Sequence, residues 1–518
     1  MSATAAWTAA IALVLLSSVA LYFHRLGEVP VYVSTDEAKL AVQAHSLATT
    51  GRDLRGNRFP VFLQIVDPLV TDEQSVAWWQ PVLFYATAGV FRMVDVSAGS
   101  TRIPVATLAV LNIGLIYLVA LQWLRSKPLA LFSAAALALT PAHFILGREA
   151  ADYFCPTTVA LLWLWLLWRF LEQPDRRLAI ATGLVLGLGL YTYITSWVVM
   201  PIYLALTLLA AWRKRVSFRV CSTLVAAFAC CTIPAVIWTA LNPGMLGDTL
   251  IHYKVSGGSR AIERITLYWD YFNPSYLFFS GASNLLWSTR TAGVFLLSFL
   301  VLLPAGLWAL AYAWRSTYDG VLLLGFFLVP LPIVLAMPEA PFYATPRAIL
   351  AAPFGVLIAT AGVAVLARNR LPVARALALI AIVLMPWQFA SFARDYFTDY
   401  PQRSAPWIDT MNFQGVARYV IDNASNTPAV FLSGDDIAED KSVKWKFHLI
   451  AAKQPDLWAR TKYLAPEEQV KPGIEAGSVL IMSASNARLG SLTGDGWSVA
   501  TIVHDAAGTA SAAILKKR

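Results

Sequence analysis

Long apolar runs separated by short polar turns fill most of this chain. The first extends from about Trp7 to Phe23. After a polar stretch from His24 to about Ser100, others follow near 103–124, 129–144, 157–168, 178–193, 197–212, 219–240, 291–314, 320–337, 347–367 and 373–391. A helix needs roughly 20 mostly apolar residues to cross a bilayer, so the pattern predicts a polytopic α-helical membrane protein with about eleven spans. No basic segment precedes the first run and many spans follow it, which marks a retained helix, not a cleaved signal. Within the polar stretch, 36–50 and 79–94 read as amphipathic helices on the membrane surface. In the first of these Leu40, Ala41, Ala44, Leu47 and Ala48 share a face, and Gly51 stops the helix.

Beyond Phe392 the pattern changes to that of a soluble domain. Ala429–Leu432, Ser478–Met482, Trp497–Val503 and Ala512–Leu515 are short and rich in β-branched and aliphatic residues, as strands are, and Trp407–Ile421 has helical spacing. The division is therefore 1–391, membrane part, and 392–518, a small C-terminal α/β domain. The acidic run Asp435, Asp436, Glu439 and Asp440 reads as a solvated loop.

Composition sharpens this picture. Of 518 residues 58% are hydrophobic and only 14% charged, with a mean hydropathy of +0.58, against about 25% charged in ordinary soluble domains. That excludes a soluble enzyme and a disordered chain. The net charge of +9 does not point to nucleic acid, because many of the basic residues cluster between apolar runs: Arg125 and Lys127; Arg169, Arg176 and Arg177; Arg213, Lys214, Arg215 and Arg219; Arg368, Arg370 and Arg375. Basic residues beside spans stay cytoplasmic. This places the N-terminus inside, and loops 24–100 and 241–290 and the C-terminal domain outside. The four cysteines, Cys155, Cys221, Cys230 and Cys231, form no disulfide framework.

Phosphate-loop, HExxH, GxSxG, dinucleotide and Asp-x-Asp motifs are absent from the sequence. Gly183 and Gly187 form a helix-packing GxxxG. Ser34-Thr35-Asp36-Glu37 follows the first span; Ser34 and Glu37 form a capping box, and Asp36 is left to project from the first turn. Adjacent helical residues point about 100° apart, so only one of the two carboxylates can face a reacting atom. Asp72-Glu73 reads as a polar loop. Gly147-Arg148-Glu149-Ala150-Ala151-Asp152 lies in an outer turn, where an Arg148–Asp152 pair at helical spacing and a functional cluster are both open readings. Arg102, Lys254 and Arg347 add outer-face cations suited to a phosphate. The six histidines show no metal-binding spacing.

With Asp36-Glu37, Thr101-Arg102-Ile103-Pro104, Arg148 to Asp152, Gly189-Leu190-Tyr191-Thr192-Tyr193 and Pro346-Arg347-Ala348 in this order, residues 7–391 resemble the GT-C fold glycosyltransferases. The resemblance is to the family 39-like group that includes protein O-mannosyltransferases and lipid A aminoarabinose transferases. It implies a bacterial inner-membrane enzyme that moves a sugar from polyprenyl phosphate to a periplasmic acceptor: lipid A, lipopolysaccharide, another glycan or a protein hydroxyl. It implies Asp36 as general base, Glu37 as its support, Arg148 and Asp152 at the donor site, Arg102 and Arg347 at the phosphate, and Tyr343 as a further substrate contact. No cofactor is demanded, although some members use a divalent ion. A secondary transporter or lipid flippase is the alternative class.

Overall fold

In the computed structural model, which describes residues 3–69, 77–252, 261–336, 345–434, 439–469 and 473–518, the apolar runs become helices or broken pairs of helices, except that 291–298 is irregular and its run turns helical only at Phe299. In chain order these elements begin with α1 (Ala3–Phe23), α2 (Thr35–Thr50), α3 (Pro81–Phe91), α4 (Ala98–Leu124), α5 (Lys127–Ala138) and α6 (Pro141–Leu146). There follow α7 (Cys155–Glu172), α8 (Arg176–Gly189), α9 (Ser196–Arg213) and α10 (Phe218–Leu241). Later come α11 (Met245–His252), α12 (Ala261–Asp270), α13 (Phe299–Trp308), α14 (Thr317–Phe327), α15 (Leu331–Ala336), α16 (Ala351–Ala367) and α17 (Pro372–Phe397). Among the described residues 7 helices are long and apolar enough to cross a membrane by length and composition; shorter apolar helices, α5 and α16 among them, pack between these.

Proline explains one of the breaks. The run 129–144 splits into α5 and α6 because Pro141 disfavours helical backbone at the residue before it, and Thr140 is extended, with ψ 117°. The GxxxG of α8 packs as expected. A Cβ on Gly183 would collide with the carbonyl of Leu224 in α10, so only glycine permits this approach.

The polar stretch before α4 is ordered by the elements it contains. Ser34 and Glu37 form the capping box of α2, and Gly51 ends that helix in the left-handed conformation at φ 69°. Leu40, Ala41, Ala44 and Leu47 are buried, but so are Ala38, Val42 and Gln43, so α2 is covered by protein on more than the single face expected of a helix on the membrane surface. Two short antiparallel strands, β1 (Leu63–Ile65) and β2 (Ala77–Trp79), follow.

The C-terminal domain holds a five-stranded mixed sheet in the order β4-β3-β5-β7-β6. Its strands are β3 (Val430–Ser433), β4 (Thr461–Leu464), β5 (Val479–Ser483), β6 (Trp497–His504) and β7 (Ala510–Lys517). β3 runs parallel to β4 and β5, and β7 antiparallel to β5 and β6. Strand β4 went unforeseen in the sequence, and the single helix expected over 407–421 is two, α18 (Tyr400–Ile408) and α19 (Phe413–Ala424). The cause is Asp409, whose carboxylate accepts hydrogen bonds from the Met411 and Phe413 amides, while Asn412 in left-handed backbone caps α19 through the Gly415 amide. The last long helix also runs further than expected, to Phe397, because Phe389, Phe392 and Tyr396 pack around Phe144.

This domain sits on α2. Val443 and Phe447 of α20 (Glu439–Ala451) bury against Val33, Ala38, Ala41 and Val42. Beside them Asp67 of the polar stretch accepts hydrogen bonds from Ser442 Oγ and Tyr463 OH, both at 2.6 Å.

Candidate active site

The start of α2 sends its two acidic residues into different surroundings, about 100° apart round the helix. Glu37 points inward and is fully buried, whereas Asp36 is exposed. The Glu37 carboxylate accepts from Arg102 Nε at 2.7 Å and Nη2 at 2.9 Å, from the Ser34 amide at 3.0 Å and from the Ala150 amide at 3.0 Å. Arg102 gives its remaining hydrogen bonds to the carbonyls of Leu26, Pro30 and Tyr32. Its five donors are thus all used by the protein, and the phosphate role implied for it does not fit this geometry. Arg102 is a brace that fixes α4 to α2 and to the segment after α1.

Arg148 is a second brace. Nη1 donates to the Leu21 and Tyr22 carbonyls and Nη2 to those of His24 and Val29. Phe144, Tyr396 and Phe397 enclose the guanidinium at 5.1–5.6 Å from their ring centres. The side chain has no solvent exposure, so a direct donor-site role does not fit it either. Nor does it form a helical pair with Asp152. Ala151 is extended at φ −137° and ψ 143°, which breaks the helical spacing, and Asp152 opens a separate 3-10 turn, Asp152–Phe154.

Asp36, Asp152 and Arg347 do face a common region. The 3-10 turn that starts at Asp152 packs against a second one, Thr345–Ala348, which carries Arg347. Tyr193, in the turn between α8 and α9, hydrogen bonds to Arg347 and feels the charges of Asp152 and Asp36. Burial pushes its hydroxyl up to about 12, with Arg347 opposing the shift, so it stays protonated at neutral pH. Arg347 also forms part of the wall of a largely apolar cavity of about 280 Å³, shared with Ile194, Trp197, Leu246, Leu250 and Leu335. Tyr343 and Lys254 lie outside the described residues.

Glu149, Tyr153 and Tyr193 join this cluster although the sequence reading did not select them as site residues. Glu149 is buried, accepts a hydrogen bond from Tyr153 OH and lies within Coulomb range of Glu37 and Asp36. Burial and those two carboxylates raise it to about 8. The available signal was its position between Arg148 and Asp152 in an ionisable outer turn. Among the described residues no group of three or more His, Cys, Asp or Glu is arranged to hold a metal ion.

Comparison with solved structures gives the chain a GT-C glycosyltransferase fold. Residues 79–238 match the family model for dolichyl-phosphate-mannose-protein mannosyltransferase. The crystal structure of ArnT from Cupriavidus metallidurans bound to undecaprenyl phosphate matches with a TM-score of 0.62 at 15% identity, over 97% of each chain. Its apo form gives 0.61 at 14% identity, over 99% of this chain and 98% of that one. The Archaeoglobus fulgidus oligosaccharyltransferase, crystallised with Zn and sulfate, gives 0.50 at 10% identity, over 92% of this chain and 69% of that one. No curated protein matches the sequence.

Proposed function

We propose that this chain is a glycosyltransferase of a bacterial inner membrane, taking its sugar from a polyprenyl-phosphate carrier and passing it to an envelope acceptor on the periplasmic side. The acceptor classes are a lipid A or lipopolysaccharide hydroxyl, another glycan or a protein hydroxyl. The observation that carries this reading is that Asp36, exposed at the start of α2, and Arg347, at the wall of an apolar cavity, both lie within electrostatic range of Tyr193. A lipid-linked phosphate asks for that combination of apolar wall and guanidinium, and the fold's similarity to a structure bound to undecaprenyl phosphate supports it.

The chemistry follows from the residue types. Asp36 takes the proton of the acceptor hydroxyl as that oxygen attacks the anomeric carbon. The carrier phosphate departs with the bonding electron pair, and Arg347 stabilises the growing negative charge, so inversion in one step needs no proton donor at the leaving oxygen. Tyr193 orients Arg347, and Asp152 lines the donor site beside them. Glu37 and Arg102 hold the α2 terminus that aims Asp36.

The test is mass spectrometry of lipids after wild type and Asp36→Asn are offered a panel of polyprenyl-phosphate sugars. One sugar lipid turned over by wild type, with turnover about 10²–10⁴-fold lower in the variant and retention unchanged, is the expected result. Equal turnover by a folded Asp36→Asn variant would remove Asp36 as the base. Failure of wild type to retain any such lipid would remove the donor class.

A further inference from the structure

The bundle has a second cavity, this one polar, at the end remote from Asp36. Both α4 and α7 run from the candidate site to it: α4 carries Arg102 near its start and ends at Leu124, just before Arg125, and α7 follows Asp152 and ends at Glu172. At 1.5 Å per residue the 23 steps from Arg102 to Arg125 cover about 34 Å, a bilayer's hydrocarbon thickness. The cavity measures about 370 Å³.

Three cations meet there. Arg125 follows the last residue of α4, Lys214 that of α9 and Arg368 that of α16, so three separate helices deliver them to one space. A cation at a single helix end needs no ligand to explain it, since it complements the helix dipole or snorkels to water. Convergence of three on one cavity is a different arrangement. Two carboxylates share the space, so three cations leave one positive charge in excess. Glu172 makes loose ion pairs, 4.0 Å from Arg125 Nη2 and 3.9 Å from Lys214 Nζ, outside hydrogen-bond contact. Asp319 is held by Trp123 Nε1 at 3.0 Å and the Ser316 amide at 2.7 Å. Trp123 and Trp168 give the cavity the aromatic wall of a membrane interface.

We propose that this cavity binds the phosphate of an anionic phospholipid from the leaflet opposite the candidate active site. The shared chemistry is a phosphate with at least one free negative charge. A lipid is favoured over a soluble anion because the cations sit at span ends beside interfacial tryptophans, where an acyl chain can continue along the bundle. This assignment stands independently of the glycosyl-transfer reading.

The experiment places the full chain in phosphatidylcholine nanodiscs doped with phosphatidylglycerol, then measures by mass spectrometry the ratio of the two lipids that survive delipidation. Wild type should retain phosphatidylglycerol above its bulk share. Each of Arg125→Ala, Lys214→Ala and Arg368→Ala should cut that enrichment by roughly fivefold. Glu172→Gln, which removes a competing carboxylate, should raise it, and this opposite direction separates binding from loss of fold. Equal lipid ratios in wild type and the three alanine variants would overturn the proposal. So would displacement of the enrichment by millimolar inorganic phosphate, which would assign the cavity to a free anion.

Discussion

Arg102 and Glu37, 65 residues apart in sequence, meet through two hydrogen bonds of 2.7 and 2.9 Å with neither side chain open to water. Taking either partner away strands the other as an uncompensated buried charge. Arg102→Ala and Glu37→Ala should each cost about 3–5 kcal/mol of stability, read as lost thermal resistance in detergent. Arg102→Lys should rescue little, because an ammonium cannot serve Glu37 and three carbonyls at once.

Arg347 should separate binding from fold. Arg347→Ala is expected to leave the melting temperature close to wild type while lowering turnover of a polyprenyl-phosphate sugar about 10²–10³-fold. Arg347→Lys should recover part of that loss, and Tyr193→Phe should raise KM more than it lowers kcat. Unchanged kinetics in Arg347→Ala would detach the apolar cavity from the chemistry.

Glu149 gives the protein a pH response of defined sign. Its carboxyl, raised to about 8 chiefly by burial, binds its proton more tightly folded than unfolded. The resulting stability is fully present below the unfolded carboxylate range, near 4.5, and is lost as pH rises through about 8. Wild-type melting temperature should therefore fall between pH 6 and 9 by more than that of Glu149→Gln, in which this contribution is fixed. Parallel curves would show that Glu149 does not titrate there.

Asp67 links the polar stretch to the C-terminal domain through Ser442 and Tyr463. Asp67→Ala should cost about 1.5–3 kcal/mol and raise hydrogen exchange both around residues 61–69 and in α20. A change confined to residues 61–69 would mean that the domain is held by the apolar contact with α2 alone.

Local chemistry was readable from the sequence and long-range partnership was not. The capping box of Ser34 and Glu37, the Gly51 stop and the different headings of Asp36 and Glu37 follow from helix geometry within a few residues. The apolar runs declare their helices by the same token. Nothing near Arg102 says that Glu37 will consume it, and nothing near Arg148 names the carbonyls after α1. Both were expected at the substrate because a cation at a span end has the same local signature whether it meets a ligand or the chain's own backbone. Asp36, Asp152 and Arg347 come from three distant segments, and only the packing of two 3-10 turns brings the last two together.

The two buried guanidiniums have one more consequence. Between them they take up the carbonyls of Leu21, Tyr22, His24, Leu26, Val29, Pro30 and Tyr32. The segment between α1 and α2 has no regular ladder of its own, yet five of its carbonyls, those of His24, Leu26, Val29, Pro30 and Tyr32, take donors from elsewhere in the chain. It behaves as core in the guise of a loop: a one-residue insertion there would displace a whole row of acceptors from two immobile cations and swing the start of α2 with them.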